Sequence, residues 1–196
     1  MEDSNTCLNI SQDDSLWEKI NLSGKRVPNK LLTIILNKGC KYLSLYNTKV
    51  EGDRMNCNEN SKLRYLNLSL CKANDGILKD ILASCHSLQK LSVEPRILGS
   101  EEIKKICNQN GSSLQTLHLS FEFDMDFETT RHIVNNLVEL REMSFNSALS
   151  EDSLNYFVNN LTPTITKLDI TVRTPVPGVL EFANVYIRYG IVIPVV

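Results

Sequence analysis

The sequence lacks the spacing of cysteine and histidine that binds metal ions. None of its six cysteines forms a C-x-x-C pair, and none of its three histidines stands at zinc-ligand spacing from a cysteine. Four cysteines fall at apolar positions of a recurring leucine pattern, where a reduced thiol packs as a small hydrophobic group; they are Cys40, Cys71, Cys85 and Cys107. We therefore expect no metal and no other cofactor, and reduced cysteines favour a cytoplasmic or nuclear protein.

Strong net charge, an export signal and a membrane span are also missing. The net charge is −2 and the basic residues are scattered, whereas phosphate binding needs clustered Lys and Arg. The N-terminal MEDSNTCLNISQDD has neither the charged start nor the apolar core of a secretory signal. The apolar ending from Tyr189 to Val196 is too short to cross a bilayer. The sequence thus predicts partners other than nucleic acid or membrane.

Catalytic patterns are absent as well. We find no nucleophile paired with a base, no phosphate-binding loop and no paired-acid site. An acidic run alternates with aromatic residues and Met125, at Glu122, Asp124, Asp126 and Glu128. It lacks the bend glycine and the closing bidentate Glu of a calcium loop, so we interpret it as a solvated loop. The chain is not expected to be an enzyme.

What the sequence does contain is a repeat, seen best between Ser61 and Cys85. Its first half carries leucine-type residues at L-x-x-L-x-L-x-x-C spacing, and its centre alternates as a half-buried strand does; these are Leu63, Leu66, Leu68 and Cys71. Its second half carries one apolar helical face, after a capping Asn74 or Asp75: Ile77, Leu78, Ile81 and Leu82. A unit of one short strand and one short helix cannot bury its apolar sides alone, so it needs copies of itself as neighbours.

Copies of this unit run along the chain. The fourth position of each L-x-x-L-x-L is apolar and recurs at intervals of 23, 23, 25, 26, 26 and 25, at Ile20, Leu43, Leu66, Leu91, Leu117, Met143 and Leu168. Helix-length segments lie between them, at Leu31 to Leu36, Ile77 to Leu82, Glu101 to Cys107, Phe127 to Leu137 and Leu154 to Leu161. The pattern predicts an α/β leucine-rich-repeat solenoid of about seven repeats of 23 to 26 residues, with a parallel concave sheet and helices on the convex side.

Three regions follow from this pattern. We expect a polar tail over residues 1–15, the repeat domain over 16–172, and an irregular tail over 173–196, which holds three prolines and two glycines. Within the domain, Asn47 to Asn60 is polar and lacks a helical apolar face. The second repeat is therefore expected to have an irregular convex side.

Residues between the leucines of each strand are expected to face the concave side, where a solenoid binds its partner. The candidate binding residues are Tyr42, Tyr46, Tyr65, Asn67, Lys90, Glu94, His118, Glu142 and Asn146. Tyr42 and Tyr65 occupy the same slot of adjacent strands, about 4.8 Å apart by sheet geometry. Together with Tyr46 they fit a protein-binding hot spot. The alternative is an ordinary cross-strand pair that holds the sheet.

A family resemblance begins at DDSLWEKINLSGK, residues 13–25. This stretch resembles the junction after an F-box, where the leucine-rich repeats of the S-phase-kinase-associated F-box receptor family begin, and the repeats resemble that family to about Ile170. The resemblance implies a cell-cycle substrate receptor of an SCF-type (cullin) ubiquitin ligase, in which other subunits transfer ubiquitin. The segment ahead of Ser15 is too short to hold an F-box, so we expect the F-box to be missing and the chain to be truncated. Docking on the Skp adaptor and cullin would require an upstream F-box.

The sequence leaves two other functions open. One is a free leucine-rich scaffold that wraps and inhibits a partner such as an enzyme or a small GTPase. The other is a secreted receptor, which would need a signal peptide and occupied glycosylation sequons, present by sequence at Asn9, Asn21, Asn67, Asn110 and Asn160. Common to all three is binding of a target protein on the concave face.

Overall fold

The computed structural model describes residues 14–57, 61–94, 98–122, 126–147 and 150–172. It is an α/β structure with two compact units, Met1–Leu88 and Gln89–Val196. A short 3-10 helix, Asp14–Trp17, opens the described chain. The predicted tail over 173–196 lies outside the described residues, as does the tail over 1–15 apart from its last two residues. The single domain proposed for 16–172 stays a prediction.

Three parallel strands form the main ladder of the first unit. Its elements are β1 (Lys19–Asn21), β2 (Arg26–Pro28), α1 (Asn29–Asn37), β3 (Tyr42–Ser44), β4 (Lys49–Glu51), β5 (Tyr65–Asn67) and α2 (Asp75–Ala83). Strand β3 pairs in parallel with β1 and with β5, so that Ile20, Leu43 and Leu66 stand in register. Leu43 and Leu66 are at most 2% exposed, because every second side chain of a strand points to the same side. The first three predicted strands are confirmed.

A second parallel ladder, between β2 and β4, was not anticipated. Val27 pairs with Val50, and each is 4% exposed. A further bridge joins Lys49 to Lys72. The segment expected to be irregular from Asn47 onward therefore contains a strand, and it has no helix within its described part, 47–57. A strand with one buried residue leaves no periodic pattern, and its register comes from hydrogen bonds to its neighbour.

A tight turn leaves the main ladder after each of the three strands. The third turn residue has positive φ in all three cases, at Gly24 (72°), Asn47 (50°) and Leu70 (58°). Positive φ at this position is what a type II turn requires, and glycine and asparagine tolerate it best. The turn hydrogen bond also recurs, from the amide of Thr48 to the carbonyl of Leu45 at 3.1 Å, for example. The repeat in the first unit thus extends to backbone detail.

The helices of the first unit bury the apolar faces expected of them. Helix α1 buries Leu32, Ile35 and Leu36, and α2 buries the four residues named for it from the sequence. Of the two candidate caps, Asn74 occupies the N-cap, and its side chain accepts a hydrogen bond from the amide of Gly76 at 2.9 Å. Such a cap contributes about 1 kcal/mol.

The second unit repeats the strand and helix alternation with longer strands. Its elements are β6 (Lys90–Val93), α3 (Ser100–Asn110), β7 (Thr116–Glu122), α4 (Phe127–Asn136), β8 (Glu142–Ser147), α5 (Glu151–Asn159) and β9 (Lys167–Val172). All adjacent pairs from β6 to β9 are parallel, and Leu91, Leu117, Met143 and Leu168 stand in register. Phe145 of β8 meets the buried ring of Phe157 edge-on at 5.4 Å. The last four predicted strands and the three helices are confirmed.

Asparagine marks the carboxyl end of each helix in this unit. The side-chain amides of Asn110, Asn136 and Asn160 each donate to the carbonyl four residues earlier, at 3.1, 2.8 and 2.8 Å. Free carbonyls at a helix end need such partners. Asn110 is 1% exposed, so the sequon there is closed to a glycan in the folded chain.

Four cysteines are buried, as the leucine pattern predicted. Cys40, Cys71, Cys85 and Cys107 are in the reduced thiol form and have at most 6% exposure. Burial raises the pKa of both Cys85 and Cys107 to about 12. Cys85 and Cys107 therefore stay protonated, and both pack as part of the apolar core.

Candidate functional site

The strands of the main ladder in the first unit present one polar and aromatic surface, which we name the tyrosine face. It contains Lys19, Asn21, Ser23, Tyr42, Ser44, Tyr46, Tyr65, Asn67 and Ser69. None of these residues is buried, whereas the leucines between them on β3 and β5 are buried. All nine residues are therefore at least partly accessible to solvent.

The centre of the tyrosine face is a stacked aromatic pair. Tyr42 and Tyr65 are register partners on β3 and β5, and their rings lie 4.3 Å apart between centroids at an interplanar angle of 12°. Tyr46, in the turn after β3, is 45% exposed. The sequence placed these three tyrosines together, and the two stacked rings do lie side by side. Tyrosine side chains on an open surface offer contact area at low entropic cost.

Hydrogen bonds within the face hold its polar side chains in place. The side-chain oxygens of Asn21 and Asn67 each accept the amide two residues later, both at 3.0 Å. The hydroxyls of Ser23 and Ser44 lie 2.9 Å apart. Asn67, one of the candidate binding residues, thus has a structural role in its turn. These bonds restrict side-chain motion before any partner binds, which lowers the entropic cost of binding.

Basic residues border the stacked tyrosines, a feature that sequence reasoning missed. Lys19 is in register with Tyr42, while Lys41 and Arg64 directly precede Tyr42 and Tyr65. Lys41 forms an ion pair with Glu18 at 2.9 Å. Counting charges by region would have revealed this basic character. Residues 14–88 hold 12 basic and 7 acidic residues, whereas residues 89–172 hold 7 basic and 12 acidic residues. The overall charge of −2 hides this division.

The second unit presents a mixed-charge surface, which we name the histidine face. Lys90, Thr116, Glu142 and Lys167 form one cross-strand row, and Ser92, His118, Ser144 and Asp169 form the next. The Nδ1 atom of His118 lies 2.6 Å from the hydroxyl oxygen of Ser144. The candidates Lys90 and Glu142 therefore lie on the two strands that flank β7, the strand of His118.

Burial and the nearby cation Lys90 lower the pKa of His118. Lys167 acts in the same direction, whereas Glu142 and Asp169 oppose it. His118 is therefore predominantly neutral at pH 7, since its ordinary pKa is near 6.5.

Not every predicted residue of this face is open. Glu94 and Ser92 are only 9% and 8% exposed, so both are buried, contrary to the expectation of an accessible surface. Alternation along a strand tells which side a residue faces, and it does not tell how much of that side is covered. The backbone of Asn146 pairs with Thr171 in the β8 and β9 ladder.

Two described residues of the acidic run, Asp126 and Glu128, stabilise the start of helix α4. Asp126 is the N-cap of α4 and accepts the amide of Thr129 at 2.6 Å, and this bond lowers the pKa of Asp126. Glu128 pairs with Arg131 at 2.9 Å. Glu122 ends β7, and Asp124 lies outside the described residues. Among the described side chains, no group of three His, Cys, Asp or Glu could hold a metal ion.

One cavity of roughly 380 Å³ brings a thiol, an imidazole and a carboxylate together, at Cys57, His86 and Asp80. Burial and the negative charge of Asp80 raise the pKa of Cys57 to about 11, so the thiol is not activated as a nucleophile. Asp80 accepts the amide of Met55 at 3.0 Å and contacts Arg54 at 3.5 Å. This cluster therefore lacks the activated thiolate of a cysteine enzyme.

No family model matches the chain. In the described ranges no helix combines the length and the apolar character needed to cross a membrane. The geometry of the tyrosine face is therefore the main ground for a functional proposal.

Proposed function

We propose that this chain is a leucine-rich-repeat module that binds a partner protein through the tyrosine face. Its fold would be the solenoid predicted from the recurring leucine pattern. The observation that carries the proposal is the stacked Tyr42 and Tyr65 pair, on a surface that also exposes Tyr46 and holds the side chain of Asn67 by a hydrogen bond. Tyrosine is enriched at binding hot spots because its large ring has few rotatable bonds.

A more specific proposal follows from the resemblance at residues 13–25. The module would be the substrate-recognition part of an F-box receptor in a cullin-type ubiquitin ligase, in the cytoplasm or nucleus. It would position a target for degradation, while other subunits carry out the ubiquitin transfer. A scaffold that binds and inhibits its partner would use the same surface, so the fate of the partner distinguishes the two functions.

Site-specific crosslinking tests the binding surface directly. Full-length chain with p-benzoylphenylalanine in place of Tyr46 is expected to crosslink to a discrete partner in cells. The same photoreactive residue in place of Lys49, which is exposed on β4 in the second ladder of the same unit, serves as the control. Tyr42→Ala/Tyr65→Ala should abolish the Tyr46 crosslink while the far-ultraviolet circular dichroism spectrum stays native. Equal crosslinking from both positions, or crosslinking retained by the folded double variant, would overturn the proposal.

The ligase assignment has its own test. An F-box fused ahead of residue 14 should shorten the half-life of the crosslinked partner, and Tyr42→Ala/Tyr65→Ala should restore it. If the partner keeps its half-life but loses its activity when the chain is expressed, the inhibitory scaffold is the correct function.

A further inference from the structure

We infer that the partner segment bound on the tyrosine face is an acidic peptide, whose carboxylates lie against the basic residues that border the stacked tyrosines. The inference rests on the proposed function and adds the chemical class of the ligand. The basic border consists of Lys19, Lys41 and Arg64.

The charge of the first unit supports an anionic ligand. Residues 14–88 carry a net charge of +5, from 12 basic and 7 acidic residues. An electrostatic field of one sign attracts ligands of the opposite sign and raises their rate of association.

The positions of the charges point to the tyrosine face in particular. None of its nine residues is acidic, and Lys19 lies in the same cross-strand row as Tyr42 and Tyr65. The backbone amides of Lys41 and Arg64 donate to the carbonyls of Glu18 and Lys41, both at 2.9 Å, which puts these residues in a second row at the start of the strands. In that row Glu18 pairs with Lys41. Within the described residues neither Lys19 nor Arg64 forms an ion pair, so both charges remain for a ligand.

The size of the basic border favours a peptide over nucleic acid. It spans three neighbouring strands, which is about 10 Å at the usual strand spacing. Three cations are fewer than the roughly six to ten phosphate contacts of a typical nucleic-acid site. The stacked rings also contact each other, whereas single-stranded nucleic acid needs rings that are open to its bases. A short segment with two or three carboxylates and an apolar side chain for the tyrosines matches the surface.

Peptide selection tests the ligand class before the partner is identified. A randomised 12-residue peptide library is displayed and selected on the immobilised full-length chain, with Tyr42→Ala/Tyr65→Ala as the counter-selection. We expect the enriched peptides to carry a net negative charge and at least one aromatic or aliphatic residue. Neutral or basic peptides that still depend on the tyrosines would overturn this inference and leave the proposed function standing. Failure to enrich any tyrosine-dependent peptide would count against both.

Charge reversal tests whether Lys19 and Arg64 contribute to the affinity for the peptide. For the best peptide, Lys19→Glu/Arg64→Glu should weaken binding about tenfold in 50 mM NaCl and about twofold in 500 mM NaCl, because salt screens exposed charges. Lys30→Glu/Lys72→Glu makes the same charge change at exposed positions elsewhere in this unit and should change affinity less than about twofold. Equal losses in the two variants would show that only net charge matters and would overturn the inference. So would tighter binding of a 12-nucleotide RNA or of phosphatidylserine vesicles with the same dependence on Lys19 and Arg64.

Discussion

Gly111 is the position where one added methyl group should disturb the second unit most. A Cβ atom there would lie 2.5 Å from the carbonyl oxygen of Asn136 and 2.9 Å from that of Cys107. Both contacts are with backbone atoms, so no side-chain rotation can relieve them. The backbone angles of Gly111, φ −55° and ψ −38°, are ordinary for alanine. Steric overlap is thus the single reason for glycine at this position.

Gly111→Ala should lower the free energy of unfolding by about 1–2 kcal/mol. Overpacking destabilises the folded chain by about 1–3 kcal/mol. Alanine also lowers the conformational entropy of the unfolded chain, which stabilises the folded chain by about 0.4–1 kcal/mol. Urea denaturation followed by far-ultraviolet circular dichroism measures the difference. Gly24→Ala is the complementary control, since its Cβ would meet nothing within 4 Å but its φ of +72° strains alanine. A Gly111→Ala chain as stable as the wild type would refute the close approach of the α3 and α4 ends.

Three further predictions concern single side chains. Thr48 is fully buried and its hydroxyl donates to the carbonyl of Leu22 at 2.8 Å, so Thr48→Val should destabilise by about 1 kcal/mol in urea titration and Thr48→Ser by less. Asp126→Ala should cost about 1 kcal/mol through the lost cap at the amide of Thr129, and Asp126→Asn should retain most of the stability. The pKa of His118 is lower in the folded chain than in the unfolded chain. As pH falls below about 6.5, the unfolded chain therefore gains a proton at this histidine before the folded chain does. Wild-type stability should therefore decline from pH 7 to 5 more steeply than that of His118→Gln, and parallel urea midpoints for the two proteins would contradict this.

The repeated strands were predictable because seven copies supply the same information. A single triplet such as Cys40, Leu43 and Leu45 is ambiguous alone, but constant spacing fixes both its conformation and its register with the next. That register alone predicted that Tyr42 and Tyr65 are adjacent on neighbouring strands. The same reasoning could not give the ring distance of 4.3 Å, since that depends on rotamers chosen by packing.

Other features depend on tertiary context that one segment does not encode. The strand Lys49–Glu51 has a single buried residue, and its conformation is set by hydrogen bonds to β2. Glu94 follows the end of β6 at a position that strand alternation predicts to be accessible, yet it is buried. The basic border was missed because scattered positions in sequence become adjacent only when strands align. Arg64 lies one full repeat after Lys41 in the chain, yet a backbone hydrogen bond of 2.9 Å joins them.

Leu70 shows how far the repeat can override local preference. A leucine in the left-handed region costs about 1–2 kcal/mol, which local propensity alone would avoid. The equivalent amides of the two preceding turns, at Gly24 and Asn47, donate to the carbonyls of Tyr46 and Ser69 at 2.9 and 3.0 Å. These bonds tie each turn to the next and fix the direction in which the chain leaves the ladder. Tyr46 is the second residue of such a turn, so the backbone geometry that the repeat imposes at Asn47 also sets the exposure of the tyrosine on which the proposed binding surface depends.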